Sequence, residues 1–430
     1  MKEYQLIRDI EYEYNADVGL SYASPVRGVW NIVHIGTLVP ESHEIFVCPT
    51  SCLRGVVLTT AEMGAMDRLS TITVGEDNIL EGDMEEALQR GVERVIAELP
   101  ERPRAMLIYT SCIHHFLAVN YHRVYRILRE KYPDIDFIDC YMDPIMRRKA
   151  PAVPSLWRQI HRLLTPTEKT KTQVNLVGNC FPYLANSDLT VFLQERGIRV
   201  LDVNTCRTYD EFLSMAASAV NFTFHNTANA AGKDMKIRLG QEWIRMRPGY
   251  CYDEIDEDMN QAADFLGIER LSEEETAQWR QRTEEAVQKT AQILGDTPVS
   301  VDYTAVDRPL ELAVYLLEHG FQVPCVFIDV ITESQEVFRK LQELAPDLKV
   351  YQSVGWNIRR MKRQFDGKVV GIGQKSAYFL NTDYFVNIVE NDGCYGYRGI
   401  IRLMELLAEA ALEKKPMKEL VQIKGWGCSC

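Results

Sequence analysis

The chain has 430 residues, 46% of them hydrophobic, and a formal net charge of -13. At roughly 100–200 residues per domain this length can hold two to four cores, and three are expected. The acidity excludes a nucleic-acid partner, because phosphate binding draws on clustered Lys and Arg and the run Met146 to Lys149 is too short to supply them.

No stretch reaches the ~18–20 uninterrupted apolar residues of a spanning helix, so no membrane contact is expected. The opening MKEYQLIRDIEYEY has neither the basic nor the apolar part of a secretory leader, so a cytoplasmic protein is expected. Eleven cysteines, an odd number in such a chain, argue against a disulfide framework and turn attention to metal ligation or redox chemistry.

In chain order, EIFVC, LEGDMEEALQRGVERVIAEL, RAMLIYTS, YHRVYRILREKY and DIDFIDCYM alternate strand-like and helical patterns, a βαβαβ order that implies parallel strands covered by helices. In the helix Asp83 to Leu99, apolar residues recur at Met84, Ala87, Leu88, Val92, Val95 and Ile96, one buried stripe with a charged outer face. After the polar TPTEKTKTQ, a second run follows: TQVNLVGN as a strand, SDLTVFLQERG as a helix ended by Gly197, IRVLDV and ASAVNF as strands, and a helix through KDMKIRLGQEWIRM. The charged helix SEEETAQWRQRTEEAVQKTAQILGD suits a connector between domains. Beyond it LELAVYLLEHG, CVFIDV, VFRKLQELA, KVVGIG and YFVNIV repeat the alternation, and GIIRLMELLAEAALEKK is an amphipathic closing helix. The expected fold is α/β with three Rossmann-like parallel-sheet domains around a central cleft, spanning 1–165, 166–295 with the connecting helix, and 296–430 with the closing helix and a cysteine-containing tail. No GxGxxG or GxxxxGK[ST] marks a strand-to-helix turn, and VGIGQKS fails both templates, so ATP handling is expected of a partner.

Three cysteines fall where α/β folds place chemistry, at the C-terminal ends of strands: Cys48 and Cys52 after EIFV, and Cys112 after MLIYTS. Parallel strand ends converge, so the CPTSC and TSC turns can present thiolates to one soft metal centre, with a fourth ligand from a partner's cysteine or a carboxylate. Buried cysteines are also common small hydrophobes, and C-x₃-C is looser than the CxxC of zinc sites, so the residues alone leave both readings standing.

The stretches SPVRGVWNIVHIGTLVPESHEIFVCPTSCLRG and ILEGDMEEALQRGVERVIAELPERPRAMLIYTSCIHH resemble the opening domain of nitrogenase component 1 subunits and of the related dark-operative protochlorophyllide reductase subunits. The likeness runs on through VNLVGN and KVVGIGQKSAYF to NDGCYGYRGIIRLMELLAEA, strong at the start and weak in the middle. It implies that Cys52 and Cys112 match two cluster-ligand positions. The family's first cluster cysteine corresponds to Val29 here, and the resemblance implies that Cys48 substitutes for it. A three-cysteine site at a subunit interface implies a [4Fe-4S] cluster.

The family's nitrogen-fixing cofactor is held by one cysteine and one histidine; AVNFTFHNTANAAG lacks the first and VNIVENDGCYGYRG the second, so dinitrogen reduction is not expected. The resemblance further implies an ATP-hydrolysing iron protein as electron donor, and a homologous or identical component 1 subunit completing a dimer or an α₂β₂ tetramer. Electrons would pass through the cluster to a substrate or a second metallocofactor in the cleft. A non-catalytic scaffold for assembling a complex metallocluster is the alternative, and an α/β protein with incidental cysteines a third.

Other candidates are weaker. His225 follows the strand SAVNF, with Asn226, Asn229 and Lys233 at an expected helix N-terminus, and either lines the substrate cavity or serves structure. Cys394 precedes the last long helix where the family builds its cavity, as a metal ligand, a proton donor or an ordinary loop thiol. Cys206 beside Arg207 is expected to favour the thiolate. One of His114 and His115 is expected to face the cluster. Asp143 and Glu62 are candidate proton carriers, and Cys428 and Cys430 form a C-x-C pair on the tail.

Overall fold

The computed structural model describes residues 3–12, 20–22, 24–26, 28, 31–142 and 151–421. Val29, Asp143, the run Met146 to Lys149 and the tail pair Cys428 and Cys430 lie outside the described residues.

A short strand β1 (Gln5–Leu6) and helix α1 (Ile32–Thr37) precede β2 (Ser42–Cys48), α2 (Thr50–Glu62), β3 (Leu69–Thr73), α3 (Glu76–Glu81), α4 (Met84–Glu98), β4 (Ala105–Ser111), α5 (Cys112–Phe116), α6 (Tyr121–Lys131), β5 (Asp136–Met142) and α7 (Ala152–Ile160). Next come β6 (Thr170–Val177), α8 (Asp188–Glu195), β7 (Arg199–Asp202), α9 (Tyr209–Ser214), β8 (Ser218–Thr223), α10 (Asn229–Leu239) and β9 (Glu242–Arg245). Two helices, α11 (Tyr252–Leu266) and α12 (Glu273–Leu294), lead to β10 (Val299–Asp302), α13 (Pro309–Glu318), β11 (Cys325–Phe327), α14 (Gln335–Leu344), β12 (Lys349–Tyr351), β13 (Val370–Ile372), α15 (Gln374–Leu380), β14 (Phe385–Val386), α16 (Gly396–Leu412) and α17 (Met417–Leu420).

The strands form three sheets ordered β3-β2-β4-β5, β7-β6-β8-β9 and β1-β12-β11-β10-β13-β14. Every pairing is parallel except that of β1 with β12. The protein is therefore α/β with parallel sheets. Two compact units contain them: residues 31–180 and 197–246 carry the first two sheets, and residues 3–28, 181–196 and 247–421 carry the third. Among the described residues no helix is long and apolar enough to cross a membrane.

In the first unit, β2 and β4 are buried along their whole length, the burial that helices on both faces of a parallel sheet impose. On one face Ile45, Val47, Met106 and Ile108 pack with Met84, Leu88 and Val92, the stripe expected of α4. The second sheet carries a polar core. Asn175 Nδ2 donates to Asn221 Oδ1 at 2.8 Å, Asn221 Nδ2 to Gln241 Oε1 at 3.0 Å, Ser218 Oγ to Asn175 Oδ1 at 2.7 Å, and Gln241 Nε2 to the Met215 carbonyl at 2.8 Å. Each amide is bonded at both ends, so Asn221→Ala is expected to lower stability by about 2–3 kcal/mol by stranding Asn175 and Gln241, a loss that urea unfolding measures.

One expected helix is shorter than its pattern. α10 stops at Leu239, where Gly240 takes a φ of +70°, and the following Glu242–Arg245 is the edge strand β9. In the second unit α12, expected as a connector, buries Thr283, Val287, Thr290 and Leu294 and packs against α16. Its Val287 and Leu294 belong to the core under the third sheet with Leu403, Met404 and Leu407.

Burial keeps several groups of the first unit neutral. The Glu44 carboxyl is pushed well above its usual range, and His161 is held down to about 4, its Nδ1 2.7 Å from the Trp157 carbonyl. An unfolded histidine titrates near 6.5, so the unfolded chain takes up a proton that folded His161 refuses; stability is retained above that pH and lost as pH falls from about 6.5 towards 4. The contribution is on the order of 3 kcal/mol. His161→Asn, which can keep the bond to Trp157, is expected to flatten the fall in urea midpoint across that window; an unchanged slope would rule this histidine out as its source.

Candidate functional site

The first sheet sets two cysteine turns side by side. β2 and β4 are parallel neighbours, with Val47 opposite Thr110, so Cys48 and Cys112 begin adjacent turns at one edge of the sheet. Cys48 is the last residue of β2 and is fully buried; it pairs with Thr73 of β3. Cys52 sits in the first turn of α2, after the N-cap Pro49, with its N–H donating to the Pro49 carbonyl at 2.9 Å. Cys112 opens α5 directly after β4. Cys52 and Cys112 are half-buried, and none of these thiols is in a disulfide.

These donors suit an iron–sulfur group: soft thiols at the ends of adjacent parallel strands, with Cys52 at the electropositive end of a 13-residue helix. Among the described residues no three Cys, His, Asp or Glu side chains are gathered as ligands of a single metal ion. The two half-buried thiols leave their side of the turns accessible for ligands from outside the chain.

The helices that follow β3 and β4 expose large apolar side chains, on α3 among the exposed carboxylates Glu76, Asp77 and Glu81. Leu80, on α3 just after β3, is 83% exposed, and Phe116, at the end of α5, is 68% exposed; Ile79 and Leu117 beside them are also exposed. Of the two histidines after Cys112, His114 is buried with its Nδ1 3.4 Å from Ser111 Oγ, and burial lowers its pKa to about 4; His115 is exposed. Glu62, at the end of α2, is exposed.

His225 caps the short 3-10 turn Asn226–Ala228 between β8 and α10 and is buried. Asn226 is bonded by Arg245 and Lys233 is exposed. Cys206 corrects the sequence reading: burial and the carboxylates of Glu211 and Asp202 push its thiol up to about 12 while Arg199 opposes them, and Glu211 takes the N–H of Arg207. Its Sγ donates to the Asp202 carbonyl at 3.4 Å, so this thiol stays protonated.

Cys394 belongs to the other unit. It follows a run of left-handed residues, Glu390, Asn391, Asp392 and Gly393, three of them not glycine. Such backbone costs about 1–3 kcal/mol per residue and persists only where neighbours fix it. Here the N–H groups of Glu390 and Asn391 donate to the Thr304 and Ala305 carbonyls, each at 2.8 Å, and Asn391 Oδ1 accepts from Asp307 N at 2.9 Å. Cys394 lines a pocket with Tyr250, Val306, Asn391, Tyr395 and Leu403 that has room for about one water molecule. Burial and then Asp392 push its thiol up to about 12, the state of a proton donor.

Sequence reasoning missed Arg158, Gln159 and Asn179. Arg158 Nε, Gln159 Oε1 and both polar atoms of the Asn179 side chain are buried with no hydrogen-bond partner among the described residues. Only the GN turn after β6 hinted at them.

Residues 35–412 match the family described as nitrogenase component 1 type oxidoreductase. No curated protein matches the chain. Among solved structures, nitrogenase Cp1 at pH 6.5 superposes with a TM-score of 0.68 at 13% identity, covering 91% of this chain and 93% of that one. Nitrogenase Cp1 at pH 5 gives 0.61 at 13% identity, covering 94% and 91%. At that identity the likeness speaks for the fold.

Proposed function

The chain belongs to the nitrogenase component 1 type oxidoreductases, and from that premise we propose that it is a subunit of a two-component reductase that takes electrons from an ATP-hydrolysing iron protein. The observation that carries this reading is the placement of Cys48, Cys52 and Cys112 on adjacent turns of one parallel sheet. We assign to them a [4Fe-4S] cluster completed by a ligand from a homologous or identical subunit, and such a cluster supplies one-electron transfer at low potential. Buried Cys48 fixes one corner of the site, while half-buried Cys52 and Cys112 leave the other side open to that second subunit. The exposed Leu80 and Phe116, on the helices that follow β3 and β4, are assigned to docking of the iron protein. A protonated Cys394 and the buried His225 are the candidate groups for the substrate or for a second metallocofactor, and the chain lacks the cysteine and histidine that hold the nitrogen-fixing cofactor at the matching segments. The substrate is therefore not dinitrogen.

The test is anaerobic reduction of the holoprotein by an iron protein of this class with MgATP, followed by optical bleaching. Bleaching that needs MgATP and is followed by continued reductant consumption supports the reductase. Release of an intact metallocluster to an acceptor, without turnover, favours an assembly scaffold instead.

A further inference from the structure

The turn that follows β12 gathers positive charge in an acidic molecule. Arg359, Arg360, Lys362 and Arg363 are all exposed, in a chain whose formal net charge is -13. They are carried by the 3-10 turn Trp356–Arg360 and the residues just after it, and Asp366 is the one carboxylate between Trp356 and Lys368. Arg359, Lys362 and Arg363 meet no carboxylate among the described residues.

The turn stands on a firm base within the second unit. Ile358 is buried with Phe327, Tyr351 and Phe379, and Tyr22, Met361, Phe365 and Tyr378 pack against that core. The N–H of Tyr22 donates to the Val354 carbonyl at 2.8 Å, and the N–H of Val354 donates to Asp329 Oδ1 at 3.0 Å. On this base two guanidinium groups lie against rings: Arg359 Cζ is 4.2 Å from the centre of the Trp356 ring, and Arg363 Cζ is 3.6 Å from that of Tyr378. Arg363 Nε also donates to the Tyr378 carbonyl at 3.0 Å. The charges of both arginines reach the Tyr22 phenol, which brings them to one face of the turn. A guanidinium laid against a ring keeps its terminal N–H groups for a partner and has already lost side-chain freedom, so less entropy is spent when a carboxylate takes the fork.

The composition says what kind of partner fits. Three arginines to one lysine, beside a Trp356 that is 40% exposed, is the make-up of a protein interface, where Arg, Trp and Tyr are enriched and Lys is depleted. A folded partner touches only the patch, whereas a polyphosphate runs past it into the repulsion of an acidic chain. A membrane needs apolar side chains that reach past the charges, and here Met361 and Phe365 pack inward while Trp356 carries Arg359 on its ring. We propose that the turn after β12 is a docking surface for an acidic protein, whose clustered carboxylates pair with Arg359 and Arg363 around Trp356. This docking needs no cluster and stands apart from the reductase reading.

A fluorescein-labelled octaglutamate peptide stands in for the carboxylate cluster, and its anisotropy with the full chain at low salt measures binding, beside labelled oligothymidylate and vesicles containing phosphatidylserine. Arg359→Glu combined with Arg363→Glu is expected to weaken peptide binding at least about tenfold. Arg126→Glu combined with Arg339→Glu makes the same charge change at exposed positions elsewhere and is expected to leave binding within about twofold of the wild type. Arg359→Lys combined with Arg363→Lys keeps the charge, loses the fork, and is expected to weaken binding about threefold or more. No peptide binding, equal losses in the two glutamate variants, a lysine variant that binds as tightly as the wild type, or tighter binding of oligothymidylate or vesicles than of the peptide overturns the proposal. None of these measurements reads iron or electron transfer, so either reading can fail without the other.

Discussion

Asp302→Ala is expected to remove roughly 3–5 kcal/mol of stability, the largest loss of any single polar substitution in the third sheet. Asp302 ends β10 fully buried. Its Oδ1 accepts from the N–H of Thr304 at 2.9 Å and from that residue's hydroxyl, and its Oδ2 from the N–H of Ser376 at 2.9 Å. Burial pushes its pKa up, and these donors with the nearby Lys375 ammonium oppose that. Lys375 is buried as well, donating to Tyr303 Oη and Ser353 Oγ, each at 2.7 Å, and Ser353 in turn bonds Asp329 at 2.8 Å. Removing the carboxylate strands both an ammonium and two backbone donors. The double variant Asp302→Ala/Lys375→Met discards the stranded charge and is expected to recover about half of the loss. Urea midpoints for the three proteins decide it: additive losses mean that the two charges are not coupled.

Leu80→Asp combined with Phe116→Asp is expected to slow reduction by the iron protein about 100-fold. Two large apolar side chains at the centre of a docking face can each contribute on the order of 1 kcal/mol, and a buried carboxylate in their place adds a desolvation cost, together on the order of the ~2.7 kcal/mol that a 100-fold slowing corresponds to. Dithionite, which needs no docking face, is expected to reduce the variant as fast as the wild type. Stopped-flow bleaching with each reductant makes the comparison. If both reductants slow together, the cluster has been damaged; if neither slows, the iron protein docks elsewhere.

Much of the first sheet was legible because its strands are continuous apolar runs and α4 carries a clean helical stripe. The strand β3 was not, since LSTIT is half polar and lies at a sheet edge. β9 was absorbed into a helix because Gln241–Arg245 carries no turn signal beyond Gly240. β1 pairs with β12 across more than 340 residues, a contact no local pattern encodes. α12 looked like a connector because only a narrow stripe of it is apolar. At the site, the cysteines were legible because strand ends are. Thiol chemistry was not: Cys206 sits beside Arg207 in sequence, yet the charges that reach it are those of Glu211, Asp202 and Arg199. Asn179 and Gln159 were invisible because an orphaned amide is defined by what tertiary packing withholds.

Iron and acid-labile sulfide on the anaerobically purified chain, with EPR after dithionite reduction, test the central claim most directly when Cys52→Ala and Cys112→Ala are measured beside the wild type. About four irons per cluster and a reduced-cluster signal are expected in the wild type, both lost in each variant. Wild type without iron, or variants that keep the full complement, would contradict it.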